Sequence, residues 1–211
     1  MTSGWKSAKT SSKKAAAGTG PAPTRDVLHE AALAYLARGS ATAATLTRTL
    51  ERKVSTWSRK AARAARDPEG IEADAAASRE YIPAIIARFR EVGLINDAAY
   101  AKSRARSLSR AGRSRRAISA HLAAKGVASE TAREALPDDP NVELAAAIAF
   151  ARKRRLGPYA REGEVEDSRA AKQKQVAAMA RAGFGWSTCE RVLRMDREEA
   201  DERIATARQL D

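Results

Sequence analysis

The side chains able to make or break bonds are few in this chain and badly placed for it. Cys189 is the single cysteine, which excludes an intramolecular disulfide and a paired-cysteine metal site. It sits on a stretch that also carries Val192 and Leu193, where a small buried hydrophobe is expected rather than a nucleophile. The two histidines, His29 and His121, are far apart and neither has a partner at metal-ligand spacing. His121 falls at helical spacing beside Ile118, Leu122 and Lys125, so a half-buried or surface histidine is expected, not a general base. No Gly-x-x-x-x-Gly-Lys-Ser/Thr loop is present to cradle a nucleotide, and the carboxylates lack the fixed spacing of a metal nuclease. The expectation is no catalytic residue, no cofactor, no metal and no enzyme.

What remains is charge. Lys plus Arg is 39 and Asp plus Glu is 26, for a net charge of +13. The excess is uneven. Residues 98–136 hold nine basic and two acidic groups, whereas residues 137–147 and 182–211 are net acidic. Two runs carry most of it: Lys102, Arg104, Arg106, Arg110, Arg113, Arg115 and Arg116, then Arg152, Lys153, Arg154 and Arg155. A solvated face is the plain reading. A local excess of this size nevertheless exceeds what solubility needs and repels itself unless an anion meets it. Because Arg110, Arg113, Arg115 and Arg116 flank Gly112, their side chains are expected to converge on one surface. With 5% aromatic residues, stacking of unpaired bases is not expected; neutralisation of phosphates, or of an acidic protein surface, fits better.

These residues must be positioned by helices. The chain is rich in alanine, the best helix former, and shows no run of β-branched residues. Residues 1–24 carry four lysines and no acid among Ser, Thr, Ala, Gly and Pro, and are expected to be a disordered basic tail whose one aromatic is Trp5. Leu28, Ala32 and Leu36 then share one helical face, and Leu46, Leu50 and Val54 another, with Ser40 as the intervening N-cap. Residues 55–80 carry five basic and five acidic groups around Asp67-Pro68-Glu69-Gly70, and read as an insertion: an exposed helix, a turn and a frayed helix. Periodicity resumes at Ile82, Ile85, Ile86 and Phe89 and ends at Gly93. Further helices are expected behind Asn96-Asp97, Ser114, Ser129 and Pro140, with stops at Gly112, Gly126 and Gly183 and a capping box at Ser187-x-x-Glu190. An acidic helix from Asp196 completes the chain. No stretch of about 18 apolar residues suggests a membrane span, and the N-terminus is too short and polar for a signal peptide. A reduced, cytoplasmic, monomeric protein is expected.

The chain also repeats. Gly126 to Leu136 reads GVASETAREAL and Gly183 to Leu193 reads GFGWSTCERVL, 57 positions on. Leu46 and Leu50 match Ile118 and Leu122 in spacing, and Lys53 falls where Lys125 does, but no glycine follows it. The expectation is an all-α array of tandem three-helix units: 25–97 with the insertion, 98–139 and 140–195, followed by an acidic helix over 196–211.

Three blocks resemble the RecX family: Ala34-Tyr35-Leu36-Ala37-Arg38, Gly93-Leu94-Ile95-Asn96-Asp97-Ala98-Ala99-Tyr100-Ala101, and Gly112-Arg113-Ser114 through Lys125-Gly126-Val127. The second is the sharpest. The insertion, the long acidic loop after Gly157 and the missing glycine after Lys53 depart from the family pattern. The resemblance implies a regulator of the bacterial recombinase RecA, binding along the RecA–DNA filament and inhibiting ATP hydrolysis, strand exchange and co-protease function, with consequences for DNA repair and the SOS response. Its partners would be the recombinase and DNA phosphates. The alternative is a stand-alone DNA-binding protein of helix-turn-helix type, for which Arg115-Arg116 behind Ser114 is a better start than Thr188, Cys189 and Glu190 behind Ser187.

Overall fold

The computed structural model describes residues 20–136, 138–160 and 169–209, and every regular element in them is helical. Helices α1 (Arg25–Leu36), α2 (Ala43–Arg63) and α3 (Pro68–Glu91) form a first group. Helices α4 (Asp97–Arg110), α5 (Arg115–Ala124) and α6 (Ser129–Glu134) form a second. The third comprises α7 (Pro140–Arg154), a 3-10 turn at Gly157–Tyr159, α8 (Arg169–Arg181) and α9 (Trp186–Arg194), with α10 (Arg197–Gln209) behind it. The tail expected over residues 1–24 lies outside the described residues up to position 19, and so does most of the loop after Gly157.

Each group buries its own apolar cluster. The first is built on Leu28, Leu46, Leu50, Val54, Ile85 and Phe89, and the second on Ala101, Ala105, Ile118, Leu122 and Val127. The third holds Ile148, Met179, Phe184, Cys189 and Val192, and α10 adds Ala200 and Ile204. The middle cluster is the poorest in large side chains. A fully buried Leu or Ile contributes roughly 1.5–3 kcal/mol by leaving water, so this group depends heavily on Ile118 and Leu122.

Several local expectations need correction. The insertion keeps its expected turn and residues 62–70 are exposed, but it is not frayed: Trp57 and Ala61 pack with Ile71, Ala75 and Ile82, so residues 55–80 lengthen α2 and α3 into a packed hairpin. Where α5 stops at a glycine, the matching place in the first copy holds Val54, and the helix simply runs on. Asp67 caps α3, with Pro68 in its first turn. Residues 20–24, assigned to the tail, are docked: Trp57 Nε1 donates to the Gly20 carbonyl at 2.9 Å, Pro23 is buried and Thr24 caps α1. The N-cap of α2 is Thr42, not Ser40. Ser129 and Ser187 lie inside their helices, whose N-caps are Ala128 and Gly185 without a side-chain cap, so the capping box does not form.

Candidate functional site

Two joints hold the groups together, and both are made the same way. At the first, the Thr42 hydroxyl accepts from the Thr45 N–H at the start of α2 and donates to the Lys125 carbonyl at the end of α5, at 2.6 Å. At the second, the Ser114 hydroxyl accepts from the Ala117 N–H and donates to the Ala182 carbonyl at the end of α8, again at 2.6 Å. One N-cap side chain thus satisfies an orphan donor of its own helix and an orphan acceptor of the next. A carboxylate completes each joint. Asp97 accepts from the Ala43 N–H at 2.8 Å, and Glu143 accepts from the Arg115 N–H at 2.9 Å.

The close approach needs glycine. Gly126 and Gly183 have φ of +77° and +96°, and a Cβ on either would overlap the opposing group, Ala44 at the first joint and the Ser114 hydroxyl at the second. Thr42, Lys125 and Gly126 therefore correspond to Ser114, Ala182 and Gly183. The result is that the N-terminus of α2 meets the C-terminus of α5, and the N-terminus of α5 meets the C-terminus of α8.

The ten basic candidates divide among faces. Arg104 donates to His121 Nε2 at 3.4 Å, and burial, reinforced by the positive charges of Arg104, Lys125 and Arg113, holds the His121 imidazole below its usual range. Arg106, Arg115 and Arg116 instead line a groove of about 820 Å³ between the second and third groups, together with Lys102. Successive helical residues are turned by about 100°, so Arg104 cannot share a face with Lys102 and Arg106. Of the four arginines around Gly112, Arg115 and Arg116 line the groove, whereas Arg113 lies close enough to His121 to act on its imidazole.

Arg115 is committed within the molecule. Its guanidinium donates to the Leu136 carbonyl at 3.2 Å and pairs with Asp138 at 2.7 Å. Burial pushes the Glu143 carboxyl above its usual range, opposed by the Arg115 N–H and charge. No described carboxylate pairs with Arg116 or Lys102. The Gly112 turn abuts the α7 backbone at Ala149 and Phe150, one turn before Arg152, Lys153, Arg154 and Arg155. These four are exposed, and Arg154 stacks over the Phe150 ring with 5.9 Å to its centroid. Arg110 is exposed at the end of α4.

Cys189 is fully buried, and burial raises its thiol pKa, which suppresses the thiolate that a nucleophile needs. Among the described residues no helix is long and apolar enough to cross a membrane. The carboxylates at the joints escaped the sequence reading, since Asp97 and Glu143 occupy unrelated places in the repeat and bond to partners distant in sequence.

Comparison with known proteins agrees with this architecture. A family model described as RecX, second three-helix domain, matches residues 96–136. A regulatory protein RecX of Myxococcus xanthus is 37% identical over 169 residues, covering 79% of this chain and 83% of its own length. Another, from Agrobacterium fabrum, is 42% identical over 113 residues, 54% of this chain and 59% of that protein. The crystal structure of RecX from Lactobacillus salivarius superposes with a TM-score of 0.58 at 20% identity, over 84% of this chain and 97% of that one. A second crystal structure, of a regulatory protein RecX, gives 0.54 at 22% identity over 80% and 70%. These structures share the all-helical fold.

Proposed function

Since this chain belongs to the RecX family of regulatory proteins, a family not of enzymes, we propose that it binds the RecA–DNA filament and inhibits the recombinase. The inhibited activities are DNA-dependent ATP hydrolysis, strand exchange and co-protease function, through which it would restrain recombination, repair and the SOS response in the cytoplasm. Family membership is the observation that carries this reading.

The geometry suits it. Joints of one pattern hold three small cores in a row, and exposed basic side chains sit beside the second joint. A monomer of this kind meets a filament through many weak contacts spread over successive units, which gives avidity without a deep pocket. The basic residues on α4, α5 and α7 supply charge for DNA phosphates or acidic recombinase groups. The helix-turn-helix alternative is weakened by Arg115, one of two arginines at the start of α5, because its guanidinium is held by Leu136 and Asp138.

The test is ATP hydrolysis by the cognate recombinase on single-stranded DNA. Substoichiometric addition of this protein should slow it. Unchanged hydrolysis at several-fold molar excess in moderate salt overturns the reading. A gel shift comparing naked duplex with recombinase-coated single strands separates the two classes: preference for naked duplex favours the helix-turn-helix alternative.

A further inference from the structure

Helix α2 buries Leu46, Leu50, Val54, Trp57 and Ala61 on one side, and the side turned away from them carries Arg48, Arg52, Arg59 and Arg63, all exposed. At 100° and 1.5 Å per residue, these four arginines fall within about 60° of arc along about 22 Å of helix. The single carboxylate of α2, Glu51, is turned about 90° from the middle of the stripe. Arg48 with Arg52, and again Arg59 with Arg63, are like charges four residues apart, a spacing that disfavours the helix carrying them.

Folding does not ask for this stripe. Leu46 and Leu50 match Ile118 and Leu122, so Arg48 and Arg52 correspond to Ala120 and Ala124 on α5. Arg59 and Arg63 stand on the added length of α2, past the point where α5 stops. The last turn suits Arg63 through the helix dipole, but Arg48 and Arg52 lie in the first half, where no such gain exists. No described carboxylate pairs with any of the four. Arg52 donates to the Thr49 hydroxyl at 3.4 Å and Arg59 to the Thr56 hydroxyl at 3.2 Å, while Arg48 reaches the Ala124 carbonyl at 3.2 Å. Two acids of α3 are engaged with other cations, Asp74 with Arg66 and Glu72 with Arg79.

We propose that the arginine stripe of α2 is a track for the phosphate backbone of a nucleic-acid duplex. A duplex asks only for positive charge along its axis, where it presents one phosphate charge per roughly 1.7 Å. Arginines flanked by threonine hydroxyls are the groups that contact phosphates without reading sequence. A protein partner is the less suited occupant, because a protein interface is built on a buried apolar or aromatic centre and this side of α2 has none. An unpaired strand is less suited too, since Trp57, the one aromatic of α2, is turned into the core and offers no face to a base. The track is separate from the groove between the second and third groups, which takes no lining residue from α2. The inference does not depend on the recombinase, and its probe contains none.

The experiment is fluorescence anisotropy of a labelled duplex of about twenty base pairs with the full-length protein, over salt from about 50 to 200 mM. Arg52, Arg59 and Arg63 are replaced together by alanine, and Arg48 is kept because it also holds the Ala124 carbonyl. The triple variant should bind the duplex about tenfold or more weakly at the low-salt end, and its log–log salt slope should flatten by about 2.7, the value for three lost phosphates. A control variant that loses as much charge from scattered exposed positions, Arg88→Ala with Lys174→Ala and Arg191→Ala, should keep the wild-type slope. Melting temperature should not fall in the triple variant, because the three side chains are exposed and two of them belong to a like-charged pair. Equal duplex affinity of wild type and triple variant overturns the proposal, and so does an equal loss in the scattered control, which would trace binding to overall charge. If the triple variant keeps duplex binding but no longer inhibits the recombinase, the stripe docks protein, and the proposal is wrong while the regulatory reading stands.

Discussion

The Ser114 hydroxyl donates to the Ala182 carbonyl at 2.6 Å, across 68 residues of chain, while capping its own helix. Removing it should cost two bonds together. Ser114→Ala is expected to lower stability by about 1–3 kcal/mol, the sum of a lost cap and an unpaired carbonyl. Gly183→Ala should cost at least as much, from its φ of +96° and its overlap with the same hydroxyl. The two should not add: with Ser114 shortened to Ala, the overlapping atom is gone and the glycine substitution becomes cheaper. A double-mutant cycle by urea denaturation measures this coupling, and strict additivity would contradict the joint.

Glu143 offers a pH test. Its carboxyl is raised by burial, so the folded state holds the proton more tightly than the unfolded chain does. Its contribution to stability is therefore fullest below the ordinary glutamate range and is lost as pH rises through the raised value. Glu143→Gln keeps an oxygen acceptor for the Arg115 N–H without the buried charge. Relative to this variant the wild type should gain stability as pH falls from 7 towards 4. Glu143→Ala removes the acceptor as well and should be destabilising by about 1–2 kcal/mol at pH 7. Denaturation midpoints of the three proteins at several pH values decide the matter.

The division of the basic side chains predicts unequal effects on binding. Reversing two groove charges, Lys102→Glu with Arg116→Glu, should weaken filament binding and flatten the salt dependence by roughly 0.7 of a log–log unit per lost phosphate. Reversing Arg104 and Arg113 should do less. The His121 imidazole, whose pKa those two arginines help to lower, reports on their face by NMR titration and should hold its pKa when an oligonucleotide fills the groove. Leu122→Ala is the folding control. It is fully buried, and its truncation should cost about 2–5 kcal/mol with binding lost only through unfolding.

Residues 20–24 predict a sharp boundary for truncation. A chain starting at Arg25 loses the Thr24 cap, the buried Pro23 and the Gly20 carbonyl that Trp57 Nε1 reaches. Compared with a chain starting at Gly20, it should be less stable by about 1–3 kcal/mol, by the same cap and hydrogen-bond magnitudes. Thermal melts of the two chains give the difference directly.

Much of this architecture was legible in the sequence because it is written locally. Gly93, Gly112, Gly126 and Gly183 stop their helices with positive φ, Asn96 and Ser114 cap the helices they precede, and Pro140 opens α7. Apolar spacing found Leu46, Leu50, Ile118 and Leu122, all fully buried or nearly so. Signals with two local readings failed. Ser187-x-x-Glu190 is a capping box in sequence, yet α9 starts at Trp186 because Gly185 already supplies the extended turn. Residues 55–80 looked solvated because charges outnumber large apolar groups, but alanines facing one another across the α2–α3 hairpin bury well without size. The groove was beyond reach, since helix rotation rather than residue order decides which arginines face it.

The joints accept on the main chain, and this has an evolutionary consequence. Lys125 and Ala182 share no side-chain chemistry, yet each offers the same carbonyl oxygen to the hydroxyl opposite. Mutation can rewrite the acceptor residue freely, because no codon change removes a carbonyl. What each joint asks of side chains is the hydroxyl, the room a glycine leaves and one carboxylate for the first N–H of the capped helix, so a duplicated segment can drift at its acceptor residue without losing its grip.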